Sequence, residues 1–401
     1  MRISDIRGAV QLAAQATSGV TRLVEGVHRA VWDGIGLPGG EAAGKTRGIT
    51  GAVYSIIQTI TRITGSSADT TLAMLQGVFE ASDTNAPRTP KEETFLSVLN
   101  GVMGDRLLED QSPFALPMTL QYQSPDPVEQ TPSAASASSG KVLLLIHGLC
   151  MNDLKLHAQQ NNHASELGNL LSSKLGHQPI YARYNSGLHI SHNGREISAQ
   201  LERLLATWPQ PIDELSVIAH SMGGLVIRSA LHQAMEQNLN WPRSLKKVVF
   251  LATPHHGAPL ERAGNRLDVM LGGLSYTRPF KALGQLRSAG ITDLRYGNLL
   301  DDDWQEHDRF ERKGDQRRML ALPESIEFFT VAATLVDKRG LISDRLVGDG
   351  LVPLHSALGQ HADENRTLNF KPSSQWIAYS TGHMQILNSP EVNEKVLQWL
   401  A

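Results

Sequence analysis

Cysteine is almost missing from this sequence of 401 residues, which contains one, Cys150. A disulfide within the chain needs two cysteines, so no such bond can form. This fits a cytosolic protein, and it also fits the many secreted bacterial proteins that lack disulfides. The first ten residues carry charges at Arg2, Asp5 and Arg7 with no apolar core after them. We therefore expect no secretory signal and a cytoplasmic location.

An excess of one charge and long apolar runs are also missing. The 37 basic and 40 acidic residues give a formal net charge of -3, which argues against a general nucleic-acid binder. The longest apolar runs, such as VLLLI and VVFLA, fall far short of the ~20 residues that span a bilayer. We expect a soluble protein that binds no nucleic acid, with peripheral membrane contact left open.

Residues 1–115 are predicted to be a helical N-terminal region. Apolar residues recur at helical spacing from Ile6 to Val31 and from Ile49 to Ile63, and a third stripe begins at Phe95. These helices either pack as a layer on the main domain or dock on lipid through an amphipathic surface. The following Pro/Ser/Ala-rich tract, residues 123–140, is predicted to be a linker or exposed loop.

The pattern changes from Lys141 onward to short apolar runs that alternate with amphipathic helices. The predicted strands are KVLLLIH, QPIYARY, LSVIAH, KKVVFLAT, IEFFTVAAT and QWIAYST, and PMTLQYQ before them alternates as an edge strand does. Continuous apolar runs indicate strands that are buried on both faces. Residues 141–401 are therefore predicted to form one α/β domain with a mostly parallel, doubly wound sheet.

The segment VIAHSMGGLV, residues 217–226, has the layout of a nucleophile elbow. A strand, a sharp turn at Ser221 and a helix follow one another, and small residues stand two positions before and after the serine. They let the strand and the helix pass close together, while the turn exposes the hydroxyl above the sheet. Gly223 fills the later position, and Ala219 stands where the G-x-S-x-G pattern has glycine. The alternative is a serine that begins a helix and has no catalytic role.

A serine nucleophile needs a base and an acid that orients the base, in the chain order Ser, Asp, His. Asp349 stands between two glycines after the run IEFFTVAAT, and His383 follows the run QWIAY. Both positions lie past predicted strand ends, so we predict them to be the acid and the base. Rivals without strand-end placement or glycine flanks rank lower: Asp337, Asp344 and Asp363 for the acid, and His355 and His361 for the base.

Acyl transfer also needs hydrogen-bond donors for the developing oxyanion. The N–H of Met222, directly after the serine, is one candidate. The other is the N–H of Leu149, which follows a predicted sharp turn at His147 and Gly148. Cys150 in the same loop is predicted to be a small buried hydrophobe, because no partner is placed to activate its thiol.

The insertion of about residues 258–325 exceeds a normal crossover connection and is predicted to be a cap or lid over an acyl pocket. Asp301, Asp302 and Asp303 within it begin a helix or, as the less favoured alternative, bind calcium. Before it, His255 and His256 are predicted to lie in a turn that supports the site; metal ligation is the weaker alternative. His220, directly before the serine, and His255 are both predicted to support the site. We expect no bound metal.

The motifs IHG, AHSMGG, ATPHHGAP, GDGLVP and TGHM together resemble the bacterial lipase and esterase branch of the α/β-hydrolase superfamily. Residues 253–257 are similar to a segment shared with lipases and GPI inositol-deacylase-like hydrolases. The resemblance covers residues 141–401 and implies the α/β-hydrolase fold. It implies Ser221 as nucleophile, Asp349 as acid and His383 as base, with Leu149 and Met222 as oxyanion donors.

The predicted activity is therefore hydrolysis of carboxylic esters, with lipids as the favoured substrates, through an acyl-enzyme and without a cofactor. Two alternatives stay open. The same residues would serve an acyltransferase or an amide or thioester hydrolase. The second alternative is a protein that docks on membranes or storage granules and carries a vestigial hydrolase domain.

Overall fold

The computed structural model describes residues 88, 90–122, 140–153, 167–258, 288–306, 315–337 and 348–401. The predictions for the first two helical stripes, for nearly all of the linker tract and for residues 259–287 and 307–314 of the lid lie outside the described residues. So does Asp344, one rival for the acid.

The described residues contain a seven-stranded sheet in the order β1-β3-β2-β4-β5-β6-β7. Its strands are β1 (Thr119–Tyr122), β2 (Lys141–Ile146), β3 (Gln178–Arg183), β4 (Glu214–His220), β5 (Leu245–Leu251), β6 (Glu327–Ala333) and β7 (Gln375–Ala378). The edge strand β1 runs antiparallel to β3, and every other neighbouring pair is parallel. Each strand predicted from the sequence is confirmed, including the edge strand, with ends that differ by a few residues.

The apolar runs form strands because both faces of the sheet are covered. Along β2, Val142 and Leu144 face one core, while Leu143 and Leu145 face the other. Successive side chains of a strand point to opposite faces, so a strand covered on both sides must be apolar at every position. This explains why these runs do not alternate between apolar and polar residues.

Helices lie on both faces of the sheet. They are α1 (Pro90–Glu109), α2 (Leu167–Leu175), α3 (Ile190–Thr207), α4 (Met222–Glu236), α5 (Trp241–Ser244), α6 (Ala289–Asp293), α7 (Leu354–Ala357) and α8 (Pro390–Leu400). Helices α3 and α4 pack into one core, whereas α2 and α8 pack into the other. The doubly wound arrangement predicted from the sequence is thus present. In the described part of the chain, no helix is both long and apolar enough to cross a bilayer.

Helix α1 contains the beginning of the third apolar stripe. It buries Phe95, Leu96, Leu99 and Leu107, and its backbone leaves helical geometry at Met103 (φ -144°, ψ 25°). A helix near Phe95 was expected, and it is confirmed. The grouping of residues 1–115 into one N-terminal region stays a prediction.

Candidate active site

Ser221 occupies a strained turn between β4 and α4. Its backbone has φ 53° and ψ -123°, a conformation that non-glycine residues rarely adopt and that costs roughly 1–3 kcal/mol. The surrounding backbone holds the turn: the N–H of Ser221 donates to the carbonyl of Leu251 (2.8 Å), and the N–H of Gly224 donates to the carbonyl of Ser221 (3.0 Å). This strain distinguishes Ser221 from a serine that merely begins a helix.

The small residues around the turn are required by close packing. A Cβ atom on Gly223 would lie 2.6 Å from the carbonyl oxygen of His147 and 2.8 Å from that of Ile146. Both atoms belong to backbone and cannot move aside. Ala219 is fully buried in β4, in register with Ile146 on one side and Phe250 on the other, so the space there holds its methyl group. The alanine therefore leaves the turn intact.

Asp349 lies in a glycine turn past the end of β6, as predicted. Its Oδ1 accepts hydrogen bonds from the N–H groups of Leu351 (2.9 Å) and Val352 (2.8 Å), which fix the carboxylate. Its Oδ2 lies 2.7 Å from Nδ1 of His383. The side chains of Asp349 and His383 are only 1% and 4% exposed.

His383 follows β7 and is held at both its backbone and its ring. Its N–H donates to the carbonyl of Asp349 (3.1 Å). A carboxylate can only accept, so Nδ1 of His383 carries a proton, and Nε2 of the neutral ring is left as the acceptor. The ring of His220, the residue before Ser221, lies 4.8 Å from the ring of His383 and at 47° to it. The structure therefore brings His383 and Asp349 to the strand end that leads into Ser221.

His220 anchors this arrangement from the other side. Its Nε2 donates to the carbonyl of His383 (3.0 Å) across 163 residues of sequence. Burial, reinforced by the nearby His383, lowers the pKa of His220 well below the ordinary value of 6.5. The side chain is therefore a neutral donor beside His383, and its supporting role stays a prediction.

The loop after β2, residues 147–153, is named here the oxyanion loop. It meets the elbow at Gly148, where a Cβ atom would lie 3.0 Å from Cβ of Ser221. The ring of His147 stacks on Tyr184 (4.3 Å), whose hydroxyl donates to the carbonyl of His147 (2.7 Å). Leu149 follows Gly148 in the chain and Met222 follows Ser221, and both side chains are buried. That their N–H groups bind an oxyanion stays a prediction.

Burial also sets the charge state of two side chains in this loop. It lowers the pKa of His147 to about 4, so the ring is neutral at pH 7. It raises the pKa of the Cys150 thiol to about 12, which keeps the thiol protonated. A protonated thiol is a poor nucleophile, as predicted for Cys150, but the side chain is half-buried and not the fully buried one expected.

His255 lies in the predicted turn after β5, but its contacts point to the core. Its ring packs edge-on against Phe250 (4.7 Å), and its Nδ1 accepts from Nη1 of Arg228 (3.4 Å). Its N–H donates to the carbonyl of Thr253 (2.9 Å). These contacts leave a direct supporting role for His255 as a prediction.

The rival acids and bases within the described residues face solvent or make other contacts. Asp337, Asp363 and His355 are exposed, and Asp363 caps a short 3-10 turn. His361 packs against His256 instead (5.0 Å).

The three aspartates of the lid begin a 3-10 turn, Asp301–Asp303, as the favoured interpretation expected. Asp301 pairs with Arg195, and Asp303 accepts from the N–H groups of Leu299 (2.7 Å) and Leu300 (2.9 Å). Among the described residues, no group of three or more His, Cys, Asp or Glu residues is arranged to hold a metal ion.

An ion-pair network of Arg183, Asp153 and Glu93, which was not predicted from the sequence, holds the end of the oxyanion loop. Asp153 belongs to the loop, Arg183 ends β3, and Glu93 belongs to α1. No local motif links three residues so distant in the chain. The polar residues Asn152 and Asp153, directly after the candidate oxyanion donors, were the one available signal.

The mostly parallel sheet, the helices on both faces and the elbow at Ser221 after a central strand define the α/β-hydrolase fold. The fold class predicted from the sequence is confirmed. A protein family described as "Domain of unknown function (DUF7379)" matches residues 114–283, less than half of the chain. A comparison with curated proteins gave no match.

Solved structures with a similar arrangement include a lipase, an esterase and a lipase-esterase related protein. The mature form of lipase BlEst2 from Bacillus licheniformis is 16% identical with a TM-score of 0.41, over 71% of this chain and 98% of its own. An esterase from Pyrobaculum calidifontis is 9% identical with a TM-score of 0.40, over 77% and 88%. A lipase-esterase related protein from Clostridium acetobutylicum is 11% identical with a TM-score of 0.38, over 71% and 98%. At such low identities the likeness extends no further than the arrangement of the chain.

Proposed function

We propose that this protein is a serine hydrolase that cleaves carboxylic esters through an acyl-enzyme on Ser221. The observation that carries the proposal is the strained turn at Ser221 beside the buried hydrogen bond between His383 and Asp349. A nucleophile on a strained turn, a base with a free acceptor nitrogen and an acid that fixes the base are the parts that acyl transfer needs.

In the first half of the reaction, Nε2 of His383 takes the proton of the Ser221 hydroxyl while Oγ attacks the ester carbonyl. The N–H groups of Leu149 and Met222 stabilise the oxyanion of the tetrahedral intermediate, at roughly 3 kcal/mol for each donor. The C–O bond to the alcohol then breaks, and the imidazolium of His383 gives its proton to the departing oxygen. Asp349 stays ionised and stabilises the imidazolium.

In the second half, His383 takes a proton from water, and the resulting hydroxide attacks the acyl-enzyme. The tetrahedral intermediate collapses, the bond to Oγ of Ser221 breaks, and His383 returns the proton to the serine. The products are one carboxylic acid and one alcohol, and the enzyme is regenerated. No redox step or cofactor enters this cycle.

Lipid esters are the substrates that we favour. Leu335, which is 52% exposed, lies near the turn before His383: its side chain would be 3.6 Å from a Cβ atom on Gly382. An exposed apolar side chain at this position supports a substrate with an acyl chain. The similarity of residues 253–257 to lipases and GPI inositol-deacylase-like hydrolases favours the same class. Peripheral contact with a membrane or lipid aggregate is part of the proposal.

Labelling with a fluorophosphonate probe tests the nucleophile. We expect the wild-type protein to be labelled and Ser221→Ala to remain unlabelled. Ser173→Ala is the matched control, because Ser173 is an exposed helical serine far from the elbow in sequence. Labelling of Ser221→Ala at the wild-type rate would overturn the assignment. p-Nitrophenyl esters of increasing chain length then test the substrate class, and activity on the shortest acyl chains alone would contradict a lipid substrate.

A further inference from the structure

The oxyanion loop is anchored through a buried ion-pair network at its far end. Nε of Arg183 lies 2.6 Å from Oδ1 of Asp153, and Nη2 lies 3.2 Å from Oδ2, so the guanidinium binds both oxygens of the carboxylate. The remaining Nη1 lies 3.1 Å from Oε2 of Glu93 on α1. One arginine thus connects the loop, the end of β3 and α1.

The network is shielded from solvent. The exposed fractions of the side chains are 18% for Arg183, 2% for Asp153 and 13% for Glu93. Burial alone would lower the pKa of Arg183, but the hydrogen bonds and charges of Asp153 and Glu93 raise it overall. A bidentate, mostly buried pair of this kind holds its partners in one geometry, unlike a solvated surface pair.

Helix α1 also presses directly on the residue that follows Leu149. A Cβ atom on Gly101 would clash with Sγ of Cys150 and lie 2.9 Å from its Cα, so the helix and the loop backbone are in close contact. Cys150 has φ 58°, and its N–H donates to Oγ of Ser186 (3.0 Å). A non-glycine residue at positive φ persists only where its surroundings hold it, and α1 is part of those surroundings.

The same helix binds two further segments. The carbonyl of Gly104 accepts from Nδ2 of Asn185, in the loop after β3 (2.9 Å). The carbonyl of Gly101 accepts from Oγ of Ser288 (2.6 Å), and Oδ2 of Asp105 accepts from the N–H of Ala289 (3.0 Å). Helix α1 is therefore hydrogen-bonded to the loop after β3 and to residues 288 and 289 within the predicted lid, besides contacting the oxyanion loop.

From these contacts we infer that Arg183 is a positioning residue, which acts through Asp153 to fix the backbone of the oxyanion loop against α1. The inference rests on the proposed function, because it assigns the loop a role in binding the oxyanion. Donors to an oxyanion are effective only when they are fixed before the reaction begins. An irregular loop with Cys150 at positive φ needs such external support, which the ion-pair network and α1 supply.

Arg183→Met tests the inference with Arg183→Lys as the conservative variant. We expect Arg183→Met to lower kcat for a p-nitrophenyl ester about 10- to 100-fold with KM within about twofold, since the donors act in the transition state. Arg183→Lys keeps the charge without the bidentate contact and is expected to recover part of the loss. Arg195→Met, which breaks the more exposed pair with Asp301, is the control and should retain wild-type kcat.

A tetrahedral inhibitor separates positioning from general destabilisation. In Arg183→Met, the affinity for a trifluoromethyl ketone should fall in parallel with kcat/KM, whereas the affinity for the carboxylic acid product should stay unchanged. Unchanged kcat and unchanged ketone affinity would overturn the inference, and so would equal losses of ketone and acid affinity. If Arg183→Met does not fold, Glu93→Gln takes its place, because it leaves the contact between Arg183 and Asp153 intact. We expect this variant to lower kcat about threefold. Wild-type kcat in Glu93→Gln would refute the role of α1.

Labelling of Ser221 distinguishes the failure of this inference from failure of the proposed function. A wild-type protein that the fluorophosphonate does not label at Ser221 would refute both. A labelled wild type whose kcat is unaffected by Arg183→Met would refute the positioning role alone.

Discussion

Nδ1 of His383 lies 2.7 Å from Oδ2 of Asp349, with both side chains almost fully buried. The second oxygen of the carboxylate is engaged by two backbone N–H groups, so the carboxylate cannot rotate away. This relationship fixes which nitrogen of His383 carries the proton in the neutral ring. Nε2 is therefore the nitrogen that takes the proton of Ser221 in the proposed reaction.

Asp349→Asn is predicted to lower kcat about 10³- to 10⁴-fold, as an amide does when it favours the wrong tautomer of a catalytic histidine. The asparagine Nδ2 can donate to Nδ1 of His383, which places the ring proton on Nε2 and removes the acceptor. Ester hydrolysis measured at saturating substrate checks the prediction. Asp363→Asn, at an exposed rival position, should retain wild-type kcat, and equal losses in both variants would contradict the assignment.

The candidate site was predictable where the signal is local. Ser221, Asp349 and His383 each follow a predicted strand, and parallel strands bring their carboxyl ends to one edge of a sheet. The support of the site was not predictable, because its partners are distant in sequence. Asp153 and Arg183 are 30 residues apart, and Glu93 and Arg183 are 90 residues apart. The contacts of His255 with Arg228 likewise depend on how α4 packs on β5, which no motif encodes.

His220→Ala is predicted to lower kcat about 10-fold, because it removes the donor to the carbonyl of His383 and leaves that buried acceptor unpaired. The loss should appear in kcat measured on an ester, with Ser221 still labelled by the fluorophosphonate. His220→Gln retains an N–H donor and should recover part of the activity. Full activity of His220→Ala would show that the hydrogen bond does not position His383.

Gly223→Ala is predicted to destabilise the fold by about 1–3 kcal/mol, the usual cost of an added methyl group in a packed interior. Its Cβ would lie 2.6 Å from the carbonyl oxygen of His147, so α4 must move away from the oxyanion loop. Urea unfolding measures the loss. Gly382→Ala is the control, since its Cβ would meet the ends of two side chains, Gln385 at 3.3 Å and Leu335 at 3.6 Å, and no backbone atom, so it should cost clearly less.

Ala219→Gly restores the glycine of the G-x-S-x-G pattern and is predicted to give no gain in activity. The methyl group of Ala219 is fully buried in β4, so its removal should lower stability by about 0.5–1 kcal/mol through backbone entropy and lost packing. Urea unfolding and ester hydrolysis check the two parts. A rise in kcat of more than about threefold would show that the alanine strains the elbow. A threefold rise corresponds to somewhat under about 1 kcal/mol in the activation free energy.

His147 is predicted to make the protein less stable as the pH falls from 6.5 to about 4. Burial lowers the pKa of His147 to about 4 in the folded protein, compared with 6.5 in the unfolded chain. Within this window the unfolded chain binds a proton that the folded protein does not. The free energy of unfolding therefore decreases as the pH falls, and it levels off below about pH 4. A difference of 2.5 units between the two pKa values corresponds to about 3 kcal/mol.

His147→Phe keeps a ring to stack on Tyr184 but cannot titrate. It should be less stable at pH 7, where it lacks the hydrogen bond from Nδ1 to the carbonyl of Gly148, and should lose less stability on acidification. Urea unfolding at several pH values compares the two slopes, and identical slopes would show that His147 does not set the acid sensitivity.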